Sequence, residues 1–216
     1  MSAARTLLVY GDSNTHGTLP MPALGFLGRH PADVRWPSVV AAALGSGWEV
    51  IAEGQPGRTT VHDDPIDGRH RNGLAVLPAL LESHRPIDVV AIMLGTNDMK
   101  MHHSLPAVDI ALGAEKLVTT VRASNAGPDG AAPGVLLICP PPVIEAGCLA
   151  GIFTGVAGRV QGLADEFAAA AARQGVPFLD AGALVAVDPM DGVHLDAAAH
   201  ATVGAAVAAE VQRAWP

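Results

Sequence analysis

The sequence predicts an α/β fold, with a parallel sheet of about five strands wrapped by helices. Three observations carry this. Short aliphatic runs alternate with longer segments of helical periodicity along the chain. The runs are continuously apolar, as in Val89-Val90-Ala91-Ile92-Met93-Leu94, which suits strands buried on both faces. Each run is followed by polar or Gly/Pro-rich residues before the next helical segment.

In chain order, strands are expected at residues 6–10, 49–52, 89–94, 135–139 and 177–179, and helices at 36–44, 74–84, 106–123, 156–174 and 196–214. Several boundaries have local causes. The Asp196 side chain can cap the last helix, just before Ala197-Ala198-Ala199. Pro140-Pro141-Pro142 ends the fourth strand because proline cannot donate to the ladder. Gly127-Pro128-Asp129-Gly130 is a turn, and the alanines at 168–172 are strong helix formers. No internal repeat or low-complexity linker divides the chain, so residues 1–216 are expected to form one domain. Two apolar but punctuated segments, near 18–35 and 143–153, interrupt the βα rhythm as insertions. Such loops suit a pocket wall or a subunit contact.

Composition narrows the function classes. A chain of 216 residues can bury roughly 70% of the surface its unfolded state exposes. Half of it is hydrophobic and 16% charged, which excludes disorder. Aromatics make up only 4%, so Ala, Val, Leu and Ile must build the core. The net charge of −8 and the lack of a basic stripe argue against nucleic acid. The two cysteines, Cys139 and Cys148, make neither a disulfide framework nor a metal-type spacing. No apolar run approaches the ~20 residues that span a bilayer, and Arg5-Thr6-Leu7-Leu8-Val9-Tyr10 reads as a strand rather than a signal-peptide core. A soluble cytoplasmic protein is the expectation.

In an open parallel sheet, ligands collect beyond the carboxyl ends of the strands. Four segments fall there: Gly11-Asp12-Ser13-Asn14, residues 53–60 around Gly54 and Gly57, Gly95-Thr96-Asn97-Asp98, and Asp191-Gly192-Val193-His194. Together they hold what acyl transfer requires. A serine supplies the nucleophile, a histidine the base, and an aspartate orients the imidazole. Glycine N–H groups and an asparagine amide supply donors for a developing oxyanion. Asp12 is read as bracing the nucleophile turn, and Asp98 as a helix cap or a support behind the site. Arg58 and Lys100 either line the entrance or are solvated.

This constellation resembles the SGNH (GDSL-type) esterase and lipase superfamily over nearly the whole chain. The resemblance implies a flavodoxin-like three-layer α/β/α sandwich. It implies Ser13 as nucleophile, with Asp191 and His194 as its charge and base partners. It places the N–H groups of Ser13 and Gly57 and the Asn97 side chain in an oxyanion hole, with Asp12, His16 and Lys100 on the substrate side. The segments Asp33-Val34-Arg35-Trp36, Gly57-Arg58-Thr59-Thr60, Asp63-Asp64-Pro65 and 92–98 with Lys100 are similar to a bacterial arylesterase/acyltransferase subgroup. That implies cleavage of small esters with acyl transfer to water, alcohols or hydrogen peroxide, and large homo-oligomers whose insertions build an apolar channel. Two departures stand out. Glu53 precedes Gly54 where the superfamily often has Asn, and His16 stands where the nearest relatives are expected to carry an aromatic such as Trp.

A carbohydrate acetylesterase, or a thioesterase or lysophospholipase, is the alternative within the superfamily. The rival from another class is a flavodoxin-like phosphate- or flavin-binding module, since a helix start at the first βα turn suits anions. No Walker Lys follows Gly17, however, and such a module leaves Asp191 and His194 unexplained. No cofactor is expected. Nor is a metal: His62 with Asp63 and Asp64 lacks a second histidine at ligand spacing, the adjacent His102 and His103 are expected to point apart, and His200 is read as structural.

Overall fold

A computed structural model of the chain describes residues 4–216. Five strands, β1 (Arg5–Gly11), β2 (Trp48–Gly54), β3 (Val89–Met93), β4 (Gly134–Cys139) and β5 (Phe178–Asp180), form one parallel sheet in the order β2-β1-β3-β4-β5. The order reverses direction between β1 and β3, and that switch point opens a crevice at the strands' carboxyl ends.

Both faces of the sheet are covered. Along β1, Leu7 and Val9 point to one face and Leu8 and Tyr10 to the other, as period-two alternation requires. The first face packs on α2 (Trp36–Leu44) and α7 (Ala197–Ala214) through Trp36, Val40, Val203, Val207 and Val211. The second packs on α3 (Gly73–His84), α4 (Ala107–Arg122) and α6 (Leu163–Gln174) through Leu77, Ile110, Leu117, Val121 and Phe167. Burial on both sides explains why β3 reads as an unbroken apolar run.

The last helix is capped by Asp196, whose side chain accepts from the Ala199 N–H at 2.7 Å. One expected element is corrected. The helix expected over 156–174 is two, α5 (Val156–Arg159) and α6, because Gly162 takes a left-handed φ of +78° between them. A single-turn helix, α1 (Ser13–His16), follows β1 directly. The segment 18–35 doubles back on itself through a Thr18–Arg29 bridge, and 143–153 contains a 3₁₀ turn at Gly147–Ile152. Cys139 and Cys148 are free. Among the described residues, no helix is long and apolar enough to cross a membrane.

Candidate active site

Ser13 sits on the sharp connection from β1 into α1. Asp12 caps that turn, its Oδ1 accepting from the Asn14 N–H at 2.9 Å. The loop from β5 to α7 brings His194 over it. The Ser13 hydroxyl donates to His194 Nε2 at 3.1 Å, and His194 Nδ1–H donates to Asp191 Oδ2 at 2.6 Å. Asp191 Oδ1 accepts the N–H groups of Val193 and His194, both at 2.9 Å, and Oδ2 also accepts the Met21 N–H at 2.7 Å. Burial alone would raise the Asp191 carboxyl, but the bonds from the His194 ring and these backbone N–H groups hold it down at about 2. The pair is therefore a fixed anion behind a ring whose second nitrogen is free to take the serine proton.

Asn14 locks the two halves together. Its amide donates to the Val193 carbonyl and its oxygen accepts the Leu195 N–H, both at 3.1 Å, so it straddles His194. Sequence reasoning placed Asn14 in the block without this role. A tie across some 180 residues leaves no local signal.

The opposite wall comes from the segments after β2 and β3. Gly54 lets β2 approach α1 closely, since a Cβ there would lie 2.3 Å from the His16 nitrogen. Gly57 turns the chain at φ +79°. The Asn97 amide donates one hydrogen to the Arg58 carbonyl at 3.1 Å, which leaves its second hydrogen for the cavity. Behind it, Asp98 is fully buried. It accepts from the Thr60 hydroxyl at 2.6 Å, the Thr60 N–H at 2.9 Å and His62 Nδ1 at 3.1 Å. Of its two sequence readings, the structure selects the support. The bond to Asp98 is the largest influence raising the His62 ring.

Ser13, His194, Gly57, Asn97, His16 and Lys100 all line one cavity of about 420 Å³. Met21, Phe26, Leu27, Leu149, Ile152 and Phe153 give it an apolar side, and Asp67 and Arg71 a polar one. Asp12, expected on the substrate side, lies beneath the cavity and does not line it. It is fully buried, and burial lifts its carboxyl to about 6 against the pull of the Asn14 N–H. His16 faces the cavity, and burial, with Arg29 and Arg35 nearby, lowers its affinity for a proton. Lys100 is not a solvated charge: its Nζ is bound by Asp64 Oδ2 at 3.0 Å and Asp67 Oδ2 at 2.8 Å. Arg58 is neither at the entrance nor solvated. It is buried, stacks on the Tyr10 ring at 4.3 Å and donates to the Gly11 and Glu53 carbonyls, pinning β1 to β2. Glu53 pairs with His84 Nε2 at 2.8 Å.

The expectation that His102 and His103 point apart is overturned. They lie in a turn rather than a helix or strand, and their rings are 4.3 Å apart beside Asp64. His62, Asp63 and Asp64 separate instead, toward Asp98, Arg69 and Lys100. His200 is buried in the α2–α7 interface, where its Nδ1 accepts the Trp36 N–H at 3.2 Å.

This geometry, a serine–histidine–aspartate chain in a small cavity at the switch point of a parallel sheet, defines a carboxylic ester hydrolase. Comparison with known proteins agrees. The profile of the GDSL-like Lipase/Acylhydrolase family matches residues 9–202, and the chain belongs to that family. The native M. smegmatis aryl esterase is 40% identical, with a TM-score of 0.92 over 97% of this chain and 99% of that one. A carbohydrate acetylesterase from Sinorhizobium meliloti is 38% identical, also at 0.92, over 98% and 100%. A carbohydrate acetylesterase family member from the same organism is 38% identical at 0.88, over 97% and 98%. A search of curated protein sequences gave no significant match.

Proposed function

We propose that the protein is a serine esterase for small aryl or alkyl esters of short acids, working through an acyl-Ser13 intermediate. The observation that carries this reading is the unbroken chain Asp191–His194–Ser13 opening into the cavity that Asn97 and Gly57 also line. His194 takes the Ser13 proton as its oxygen attacks the ester carbonyl. The developing oxyanion is met by the Ser13 and Gly57 N–H groups and the free Asn97 amide hydrogen. His194 then protonates the leaving alcohol, and water resolves the acyl-serine. His16 and Lys100 shape the substrate side. The apolar wall of Met21, Phe26 and Ile152 thins the water near the intermediate and favours transfer to alcohols or peroxide. Exposed Leu27, which lines the cavity, and exposed Leu24, Ile66 and Met101, each next in the chain to a lining residue, suit contact with further copies of the chain, which light scattering would show as a particle several times monomer mass.

The polar side of the cavity, Asp67, Arg71 and Lys100, favours one second reading, deacetylation of a polyhydroxylated substrate such as an acetyl sugar. Release of p-nitrophenol from acetate, butyrate and octanoate esters, beside acetate release from an acetylated sugar, tests both. Fast turnover of p-nitrophenyl acetate that falls with chain length and vanishes in Ser13→Ala is expected. Equal rates for the two proteins would remove Ser13 as nucleophile, and a large preference for the sugar ester would select the second reading.

A further inference from the structure

The turn after Asn97 carries a cluster that the ester chemistry does not use. Asp64 is fully buried. Its Oδ1 is committed to the N–H groups of Ile66 at 2.9 Å and Asp67 at 2.8 Å. Its Oδ2 faces Lys100 Nζ at 3.0 Å, His102 Nε2 at 3.4 Å and His103 Nε2 at 3.9 Å. One carboxylate oxygen and two imidazole nitrogens thus lie within 4.8 Å of one another. The His103 side chain is only 6% exposed, yet its Nε2 has no hydrogen-bond partner among the described residues. Leaving a ring nitrogen buried and unpaired beside an anion costs stability unless something occupies the gap.

We propose that Asp64, His102 and His103 form a binding site for a divalent transition metal of the zinc class. Bond lengths of about 2.0–2.2 Å to nitrogen and oxygen set tetrahedral donor separations of about 3.3–3.5 Å. The Asp64–His102 separation of 3.4 Å meets that range; the 3.9 Å to His103 and the gap between the two imidazole nitrogens, within 4.8 Å, close by rotation of the rings. His102, 23% exposed, supplies the entry path and leaves room for a water as fourth ligand. Burial, with His102 alongside, lowers the affinity of the His103 ring for a proton. Although burial opposes it, the Asp67 and Ile66 N–H groups and Lys100 hold the Asp64 acid well below the usual carboxylate range. Lys100 is the competitor for Oδ2, and it has somewhere to go, because Asp67 already holds its ammonium at 2.8 Å. The ion would fasten the 97–104 turn, which carries Asn97, to the 59–72 segment through a link independent of Asp98.

The test is titration of chelator-treated full-length protein with Zn²⁺ alone and, as a spectroscopic probe, Co²⁺ alone. One equivalent is expected to bind, to raise the melting temperature and to give the intense visible bands of a low-symmetry four-coordinate Co²⁺. His102→Gln, on the exposed side of the turn, and His103→Ala are each expected to weaken binding by more than about tenfold. Lys100→Met, which removes the competing ammonium, is expected to tighten it. No saturable binding by the wild type, or binding unchanged in both histidine variants, would overturn the proposal. The latter result would place the ion on other surface histidines.

Discussion

The two walls of the cavity are held by different means. On the serine wall, Asp191, His194, Ser13 and Asn14 are buried and joined end to end by hydrogen bonds between segments about 180 residues apart. On the amide wall, Asn97 and Gly57 are positioned indirectly. Arg58 and Asp98 brace them from behind, and the ionic group of Asp64, Asp67 and Lys100 flanks them. The first wall fixes reacting atoms directly, so its failures should appear in kcat. The second fixes backbone that carries donors, so its failures should divide between rate and stability.

The largest effect should come from the serine wall. Ser13→Ala is expected to lower kcat by on the order of 10⁶-fold, measured on p-nitrophenyl acetate, with the urea midpoint unchanged. A residual rate within about tenfold of wild type would break the comparison at its strongest point. Next is Asn97→Ala, which removes one oxyanion donor. A loss of about 2.7–4 kcal/mol in transition-state stabilisation is expected, mostly in kcat with KM little moved. Should KM rise and kcat stay, the amide binds ground-state substrate instead. Asp98→Ala strips partners from the Thr60 N–H, the Thr60 hydroxyl and His62, all at least partly buried. A stability loss of about 3 kcal/mol is expected from chemical denaturation, beside a smaller loss of rate than in Asn97→Ala.

A pH effect separates the site from the scaffold. Burial first, and the neighbouring His30 ring next, lower His200 to about 4 from 6.5. The unfolded chain therefore binds the proton more readily than the folded one in that window, and stability falls as pH drops from about 6.5 to about 4. The contribution amounts to about 3 kcal/mol once fully lost. Asp12, lifted to about 6, works in the opposite sense over the overlapping range, so the wild-type slope alone is a blend. The difference between wild type and His200→Gln, read from urea midpoints at pH 7 and pH 4.5, isolates the histidine. Parallel curves would show that its ring is solvated in both states. Asp191 adds a further loss only below about pH 4, as its acid protonates on the way to about 2. The smallest change is expected from His16→Trp, which narrows the cavity. Butyrate turnover should fall relative to acetate by less than about tenfold, the scale of a methylene or two in an apolar pocket.

Much of this was legible in the residue order, for identifiable reasons. β3 announces itself because burial on two faces leaves no polar position in it. Ser13, Asn97, Asp191 and His194 stand out because each follows a strand or precedes a helix, where the fold must expose it. The break at Gly162 was hidden because one glycine in an alanine-rich stretch costs a helix only about 1 kcal/mol, so periodicity ran across it. The roles of Asn14, Arg58 and Lys100 were hidden for another reason. Each is defined by a partner distant in sequence, and a side chain's own identity does not name that partner. The meeting of His102 with His103 is not legible because adjacent side chains diverge in a helix or strand but not in the turn where these two lie.

The Met21 N–H bond to Asp191 carries a consequence for anyone reshaping the mouth of this enzyme. The 18–35 segment looks like a replaceable cover, with Leu27 94% exposed at its tip. Yet its fourth residue, Met21, is a strut under the carboxylate that orients His194. Transplanting a differently sized loop is safe only when the splice begins after position 21, and a proline placed there, between Pro20 and Pro22, would delete the strut and take only the Met21 side chain from the cavity wall.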